Sequence, residues 1–235
     1  MSTPVALMLA MLGLVGIAGA PQVVAAPSGA RSWQEGVNYE RITPPPQPIA
    51  TTGGSIQVIE FFGYWCPHCR AFEPFFEAWS KGVPKDVNVV RVPVIWEGTK
   101  EPETRNYASL YYTLEALARP DLQTVFFDAV HAHKKAGQGK LASFMEQQTF
   151  AVQNGIEAQS FERIYHSEAV REKVERAARM TSAYAIVGTP TMTVQGAYRC
   201  DPDLVGGGFE EFLNVVDYLT QRVRAETVVR GTVDR

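Results

Sequence analysis

Two cysteines three residues apart, Cys66 and Cys69, are the part of this 235-residue sequence best suited to chemistry. Pro67 and His68 separate them. Residues three apart on a helix share one face, so the two sulfurs can close a small disulfide ring. One cysteine then serves as the nucleophile and the other as the resolving thiol. The spacing therefore predicts a dithiol–disulfide centre.

The flanking sequence predicts that Cys66 lies where a strand ends and a helix begins. The run from Ile56 to Phe62 is rich in β-branched and aromatic residues, which is typical of a buried strand, and residues 70–80 have helical character. A thiol at a helix N-terminus faces unpaired backbone N–H groups and the positive end of the helix dipole. Both stabilise the thiolate, so we expect a lowered pKa for Cys66.

A metal site is the alternative use of the cysteine pair. Zinc takes four ligands, and the remaining candidates, Cys200, His131, His133 and His166, have no recognisable spacing. We therefore expect redox chemistry and no metal. Cys200 is an odd thiol, which we expect to be buried and inert at the end of its strand, although pairing with another chain remains an alternative.

The composition is that of a folded protein, with 46% hydrophobic and 20% charged residues. A net charge of −3 and the absence of a clustered basic stripe give no reason to expect nucleic-acid binding. Three cysteines are also too few for a framework of structural disulfides.

The N-terminal residues predict export. The apolar run from Val5 to Ala20 is shorter than the roughly 20 residues of a membrane-spanning helix, and small residues follow it. We interpret residues 1–26 as a cleaved signal peptide, which would place the cysteine pair in an oxidising compartment, the periplasm. Because no Lys or Arg precedes Arg31, an uncleaved membrane anchor remains the alternative.

The rest of the chain alternates strand and helix patterns. A lead-in strand within residues 31–42 and a core strand over 87–95 are predicted, and residues 101–185 are nearly all helical, with Ser160 and Ser167 as N-caps. Strand character returns over 191–194 and 197–200. An amphipathic helix follows, and residues 226–235 are predicted to be a flexible tail.

A Cys-X-X-Cys motif after the first core strand of such an α/β chain resembles the thioredoxin fold. The helical insertion and the Cys66-Pro67-His68-Cys69 centre are similar to those of the DsbA family of periplasmic thiol oxidases. The resemblance covers roughly residues 33–225 and is most specific at 60–69 and 187–191. It implies a thioredoxin-like domain formed by 27–100 and 186–225, with 101–185 as an inserted all-helical domain.

The resemblance also assigns a substrate groove. In thioredoxin-like proteins the proline that matches Pro190 is cis and packs opposite the cysteines, and the residue before it, here Thr189, offers backbone hydrogen bonds to a bound peptide. Thr189, Pro190 and Pro67 would then line the groove, with Pro67 mainly shaping the helix start. An ordinary trans proline at the start of an edge strand is the alternative, because trans is the default for an X-Pro bond.

Two further residues are predicted to tune the cysteines. Glu60 stands six residues before Cys66, and a carboxyl buried there would have a raised pKa and trade protons with Cys69. A solvent-facing position is the alternative. The imidazolium of His68 would stabilise the reduced form, unless its side chain lies free on the surface. The aromatic residues nearby could form an apolar apron around the site or simply pack, namely Phe62, Tyr64 and Trp65.

The resemblance implies a thiol–disulfide oxidoreductase that donates the Cys66–Cys69 disulfide to reduced, unfolded exported proteins. A quinone-linked membrane partner of the DsbB type would reoxidise it, and no cofactor is needed because the sulfurs carry the electrons. Three alternatives remain: a disulfide isomerase or reductase, a glutathione-conjugating enzyme, against which Cys69 argues, and a membrane-anchored peptide-binding module.

Overall fold

The structure, a computed structural model, describes residues 32–46, 55–96, 103–138 and 140–233. The predicted signal peptide therefore lies outside the described residues. Within the described ranges, no helix combines the length and the apolar character needed to cross a bilayer.

A mixed sheet carries the cysteine centre. Its strands are β1 (Glu40–Arg41), β2 (Ile56–Phe62), β3 (Val87–Pro93), β4 (Thr191–Val194) and β5 (Tyr198–Cys200). They lie in the order β1-β5-β4-β2-β3, with β2 and β3 parallel and the other neighbours antiparallel. Strand β2 has neighbours on both sides and all its residues are buried, which explains its nearly uninterrupted apolar sequence.

The helices are α1 (Pro67–Ser80), α2 (Thr104–Ala116), α3 (Leu122–Ala136), α4 (Phe144–Gln153), α5 (Ala158–Tyr165), α6 (Glu168–Ala183), α7 (Pro202–Val205) and α8 (Phe209–Val233). Side chains alternate across β2, so Val58 packs with α1 and α8, whereas Ile59 packs with α2 and α6. Glu60 falls on the same face as Val58, toward α1.

The inserted helices pack directly against the cysteine centre. Helices α2 to α6 lie between β3 and β4 in the chain. Their apolar residues, including Leu110, Phe126 and Phe150, form one buried cluster with Tyr64 and both cysteines of the pair. The helical block is thus part of the wall around the two sulfurs.

Several sequence predictions differ from the structure in detail. The lead-in strand is only two residues long, and the strand predicted over 87–95 ends at Pro93. Ser167 caps α6 as predicted, but Ser160 lies inside α5, whose N-cap is Glu157. The Glu157 carboxylate accepts hydrogen bonds from two backbone N–H groups there and so replaces the expected serine hydroxyl.

The C-terminal segment also differs from its prediction. Helix α8 continues to Val233, where the sequence predicts a flexible tail from Glu226. Glu226 accepts a hydrogen bond from Arg222, one turn earlier in the helix, at 3.0 Å and another from the Tyr198 hydroxyl at 2.9 Å. These contacts tie the helix to β5 beyond the point where its apolar pattern ends.

Candidate active site

Cys66 is the N-cap residue of α1, as its place between a strand and a helix predicts. Its backbone is extended, with φ −80° and ψ 118°, and Pro67 occupies the first helical position. Proline fits there because the N–H group that it lacks would have no partner inside the helix. The Cys69 backbone N–H donates to the Cys66 sulfur over 3.4 Å, so the helix end points its donors at this atom.

The two cysteines titrate in opposite directions. Hydrogen bonds from the Cys69 side chain, the Thr189 side chain and the first backbone N–H groups of α1 lower the pKa of Cys66 to about 5, against the effect of its burial. Burial raises the pKa of Cys69 well above its ordinary value. In the reduced protein at neutral pH, the site therefore holds one thiolate and one thiol.

The loop before β4 closes over the cysteine pair. The Thr189–Pro190 peptide bond is cis, as the resemblance implies, and the Thr189 carbonyl oxygen lies 3.2 Å from the Cys66 sulfur. Beside this contact is a cleft of about 690 Å³ that His68, Val187, Thr189 and Pro190 line together with residues of the 201–209 segment. Val187 is 88% exposed, so an apolar side chain stands free at the rim.

His68 and Pro67 are exposed on the first turn of α1. His68 contributes to the lowered pKa of Cys66 through its backbone N–H group. Its side chain lines the cleft. The structure thus places the exposed His68 side chain at the cleft beside Thr189 and Pro190, and an effect of its imidazolium on the sulfur remains a prediction.

Glu60 is fully buried on β2 and belongs to a network of charged groups. Its Oε2 accepts a 2.7 Å hydrogen bond from Arg91 of β3, and Arg91 also donates to both carboxylate oxygens of Glu73 on α1, at 3.0 and 2.6 Å. Thr124 of α3 donates to Glu73 over 3.2 Å. A single guanidinium therefore joins β2, β3 and α1.

Burial dominates the titration of Glu60. It raises the pKa of this carboxyl to about 7, although the positive charge of Arg91 acts in the opposite sense. The Glu60 Oε1 atom is buried with no hydrogen-bond partner. The negative charge of Glu60 is one of the factors that raise the pKa of Cys69, so the two groups interact electrostatically.

Sequence reasoning missed Arg91. The signal was a single charged residue in a mainly apolar strand, and Arg91 lies opposite Glu60 in the parallel register of β2 and β3. Its guanidinium also lies over the rings of Phe62 and Phe76, at 4.6 and 4.7 Å from their centres. An unpaired cation would not be stable in such a place, which is why both carboxylates accompany it.

The aromatic residues before Cys66 do not form a uniform apron. Phe62 and Tyr64 are fully buried, so the packing alternative holds for both. Trp65 is partly buried and stacks on Tyr107 with ring centres 5.6 Å apart. A Cβ atom at Gly63 would lie 2.6 Å from the Trp65 ring, so glycine is needed for the ring to fold back.

Cys200 lies away from this chemistry. It is fully buried at the end of β5, opposite Met192 of β4, and burial raises the pKa of its thiol. A buried neutral thiol is a poor nucleophile. Among the residues that the structure describes, no three cysteine, histidine or acidic side chains are grouped so that they could hold a metal ion.

Comparison with known proteins explains why these features occur together. The family described as DSBA-like thioredoxin domain matches residues 86–214, and the thioredoxin family matches residues 49–105. The thiol:disulfide interchange protein DsbA of Bordetella parapertussis is 38% identical over 180 residues, which cover 77% of this chain and 82% of the relative. The chain belongs to the DsbA family.

Other DsbA proteins agree over most of their length. DsbA of Pseudomonas aeruginosa is 35% identical over 219 residues, which are 93% of this chain and 94% of that protein. Its crystal structure superposes with a TM-score of 0.74 at 34% identity, covering 83% of this chain and 96% of the other. DsbA from Xylella fastidiosa gives a TM-score of 0.71 at 30% identity, covering 82% and 98%.

Membership of the DsbA family confirms two sequence predictions. The fold is α/β, a thioredoxin fold with a helical insertion. The protein is a thiol:disulfide oxidoreductase that acts on protein thiols and disulfides.

Proposed function

We propose that this DsbA-family protein works as an oxidase, donating the Cys66–Cys69 disulfide to reduced, unfolded proteins exported to the periplasm. The stabilised thiolate of Cys66 is the observation that supports disulfide donation by this protein. Whatever lowers the free energy of the reduced form makes the disulfide easier to reduce and so a stronger oxidant. A thiolate with a pKa near 5 is also a good leaving group.

The transfer takes two exchange steps. A client thiolate attacks the Cys66 sulfur, the Cys66–Cys69 bond breaks, and a mixed disulfide joins the client to Cys66. A second client thiolate attacks the client sulfur of this bond and expels Cys66 as a thiolate. Two electrons pass from the client thiols to the protein, and the client gains one disulfide.

Glu60 is the proposed proton donor for the first step. Cys69 leaves the broken disulfide as a buried thiolate, which its raised pKa disfavours, so it must gain a proton at once. Glu60 has a pKa of about 7 and is partly protonated at neutral pH. In this proposal the proton passes from Glu60 to Cys69, and Arg91 stabilises the carboxylate that remains.

The cleft beside the cis proline is the proposed client site. The Thr189 backbone sits next to the reactive sulfur, where an extended peptide can pair with it as an added strand. Val187 and Pro190 supply apolar surface, and His68 lines the facing side. A site built largely on backbone contacts suits clients of many sequences.

The family resemblance supports our proposal for how the disulfide is restored. The N-terminal sequence supports our proposal for the cellular compartment. We propose a quinone-linked membrane reoxidase of the DsbB type as the partner that restores the disulfide. The predicted signal peptide over residues 1–26 and a dithiol that functions in its oxidised state both suit the periplasm.

Client oxidation can be tested with a reduced peptide that contains two cysteines. The oxidised protein should convert the peptide to its disulfide form stoichiometrically, and its equilibrium with glutathione should lie far toward the reduced protein. The Cys69→Ala variant, which has no disulfide to donate, should leave the reduced peptide unoxidised, while Cys200→Ala should behave as wild type. An equilibrium near that of thioredoxin would support a reductase, and peptide oxidation by Cys66→Ala would support a binding module.

A further inference from the structure

His131 of α3 lies beside the reactive end of α1. Asp128, three residues earlier on the same helix, forms an ion pair with Arg70 of α1. Arg70 in turn donates its backbone N–H to the Cys66 carbonyl oxygen over 3.1 Å. Residues three apart on a helix share a face, so His131 and Asp128 both look toward the first turn of α1.

The ring of His131 is held against the chain just before Cys66. The backbone of Tyr64, two residues before the nucleophile, favours the imidazolium of His131, and the Tyr64 ring lies 4.8 Å from those of Phe126 and Phe127 on the same helix. The Nε2 atom of His131 is buried and has no hydrogen-bond partner. A titratable nitrogen is thus kept from solvent near the thiolate.

The charges around His131 come from its own helix and from α1. Lys134 and Arg70 disfavour the imidazolium, and Asp128 partly offsets Arg70 through their ion pair. The Cys66 thiolate favours it. Burial is the largest influence and lowers the pKa of His131 below its usual range. Of these groups, Cys66 changes charge in the catalytic cycle, being neutral in the disulfide and negative once reduced.

We propose that His131 takes up a proton when the active-site disulfide is reduced, so that pH controls the oxidising strength of the protein through this residue. The overall step balances: the disulfide, a neutral His131 and two client thiols give the Cys66 thiolate, the Cys69 thiol, an imidazolium and a client disulfide. Cys69 takes its proton from Glu60, which one client proton then restores, and the other client proton ends on His131. Two electrons move from the client sulfurs to the cysteine pair.

This coupling works equally in both directions. The factor by which reduction raises the proton affinity of His131 must equal the factor by which protonation of His131 favours the reduced protein. For a charge pair that is partly solvent-exposed we expect a factor of about two to five. His131 is thus a positioning and electrostatic residue that acts through Cys66, whereas His68 lines the client cleft.

A histidine titration followed by NMR tests the proposal on the intact mature protein. The chain has four histidines, so single His→Gln variants can assign every imidazole signal. The midpoint of the signal lost in His131→Gln should be higher in the reduced than in the oxidised protein. His133→Gln is the matched control, because His133 lies on the same helix and interacts with Glu146. Equal midpoints of the His131 signal in the two redox states would overturn the proposal.

The redox equilibrium with glutathione provides a second test. If the role of His131 were only structural, its replacement would not change the pH dependence of this equilibrium. Glutamine at position 131 keeps a polar side chain but cannot take up a proton. The ratio of the wild-type to the His131→Gln equilibrium constant for reduction should rise about two- to fivefold as the pH falls from 7.5 to 5.5. The wild-type to His133→Gln ratio should stay constant. A His131→Gln ratio that does not change with pH would contradict the coupling.

Discussion

The Sγ atom of Cys66 lies 3.2 Å from the main-chain carbonyl oxygen of Thr189. The protonated sulfur can donate to this carbonyl, whereas the thiolate instead accepts a hydrogen bond from the Thr189 side chain. One residue therefore serves both protonation states. When Cys66 holds no proton, the carbonyl becomes available to a backbone N–H group of a bound client.

Thr189→Val tests the contribution of the hydroxyl to thiolate stability. The substitution removes the hydroxyl but keeps the carbonyl and the β-branched shape. A hydrogen bond to a charged group is worth more than one between neutral groups, so we expect the pKa of Cys66 to rise by about one unit. Thiolate absorbance in the reduced protein measures this change.

Thr193→Val is the control for that experiment. Thr193 is buried on β4 and its hydroxyl has no hydrogen-bond partner, so its replacement should leave the Cys66 titration unchanged. If Thr189→Val also titrated as wild type, the Cys69 side chain and the helix end alone would account for the low pKa.

Arg91→Met should strongly destabilise the protein. The substitution leaves Glu60 and Glu73 buried without their common cation, and breaking a buried ion pair on one side costs about 3–5 kcal/mol. Urea unfolding of the oxidised form measures the loss. Arg224→Met, which breaks the exposed pair with Asp86, should cost much less. Equal losses would show that the buried network is not a major source of stability.

Glu60→Gln should change how stability depends on pH. The folded pKa of about 7 exceeds the usual 4.5, so the native state binds this proton more tightly than the unfolded state. The resulting stabilisation is fully present below pH 4.5 and is lost as the pH rises through 7, a change of about 3 kcal/mol. Unfolding of the oxidised glutamine variant should lack this decline.

Oxidised protein is used in that comparison because its two active-site cysteines do not titrate. Glu115→Gln alters an exposed carboxyl on α2 that pairs with Lys173, and it should keep the wild-type profile. If the free energy of unfolding changed with pH in the same way for wild type and Glu60→Gln between pH 4.5 and 7.5, Glu60 would be charged throughout this range.

Val187→Asp tests whether the cleft binds clients. This side chain is 88% exposed at the rim, so the change should not disturb folding, but it places a charge on apolar surface. We expect the KM for an apolar reduced peptide to rise severalfold while the Cys66 pKa stays near its wild-type value. Val152→Asp, on the exposed side of α4, is the control. Unchanged KM values for both variants would place the client elsewhere.

Local sequence was sufficient to predict the reactive element. The extent of β2 and the position of Cys66 at the start of α1 depend on residues within a few positions of one another. The helical nature of residues 104–183 also followed from periodicity, because these helices bury one apolar face each. The cis bond at Pro190 required the family resemblance, since spacing alone favours trans.

Contacts between distant residues could not be predicted. Arg91 meets Glu60 and Glu73 only when β3 lies parallel to β2 beneath α1, so a charged residue within each strand does not by itself reveal this pairing. His131 approaches Cys66 only through the packing of α3 on α1. The continuation of α8 past Glu226 depends likewise on Tyr198, a residue of another element.

The proposed oxidase function depends on the stability of the Cys66 thiolate relative to its thiol. A pH titration of thiolate absorbance in the reduced protein, with Cys66→Ser as the blank, tests it most directly. We predict a single transition with a midpoint near 5. A midpoint near 9, the value of an ordinary cysteine, would contradict the account.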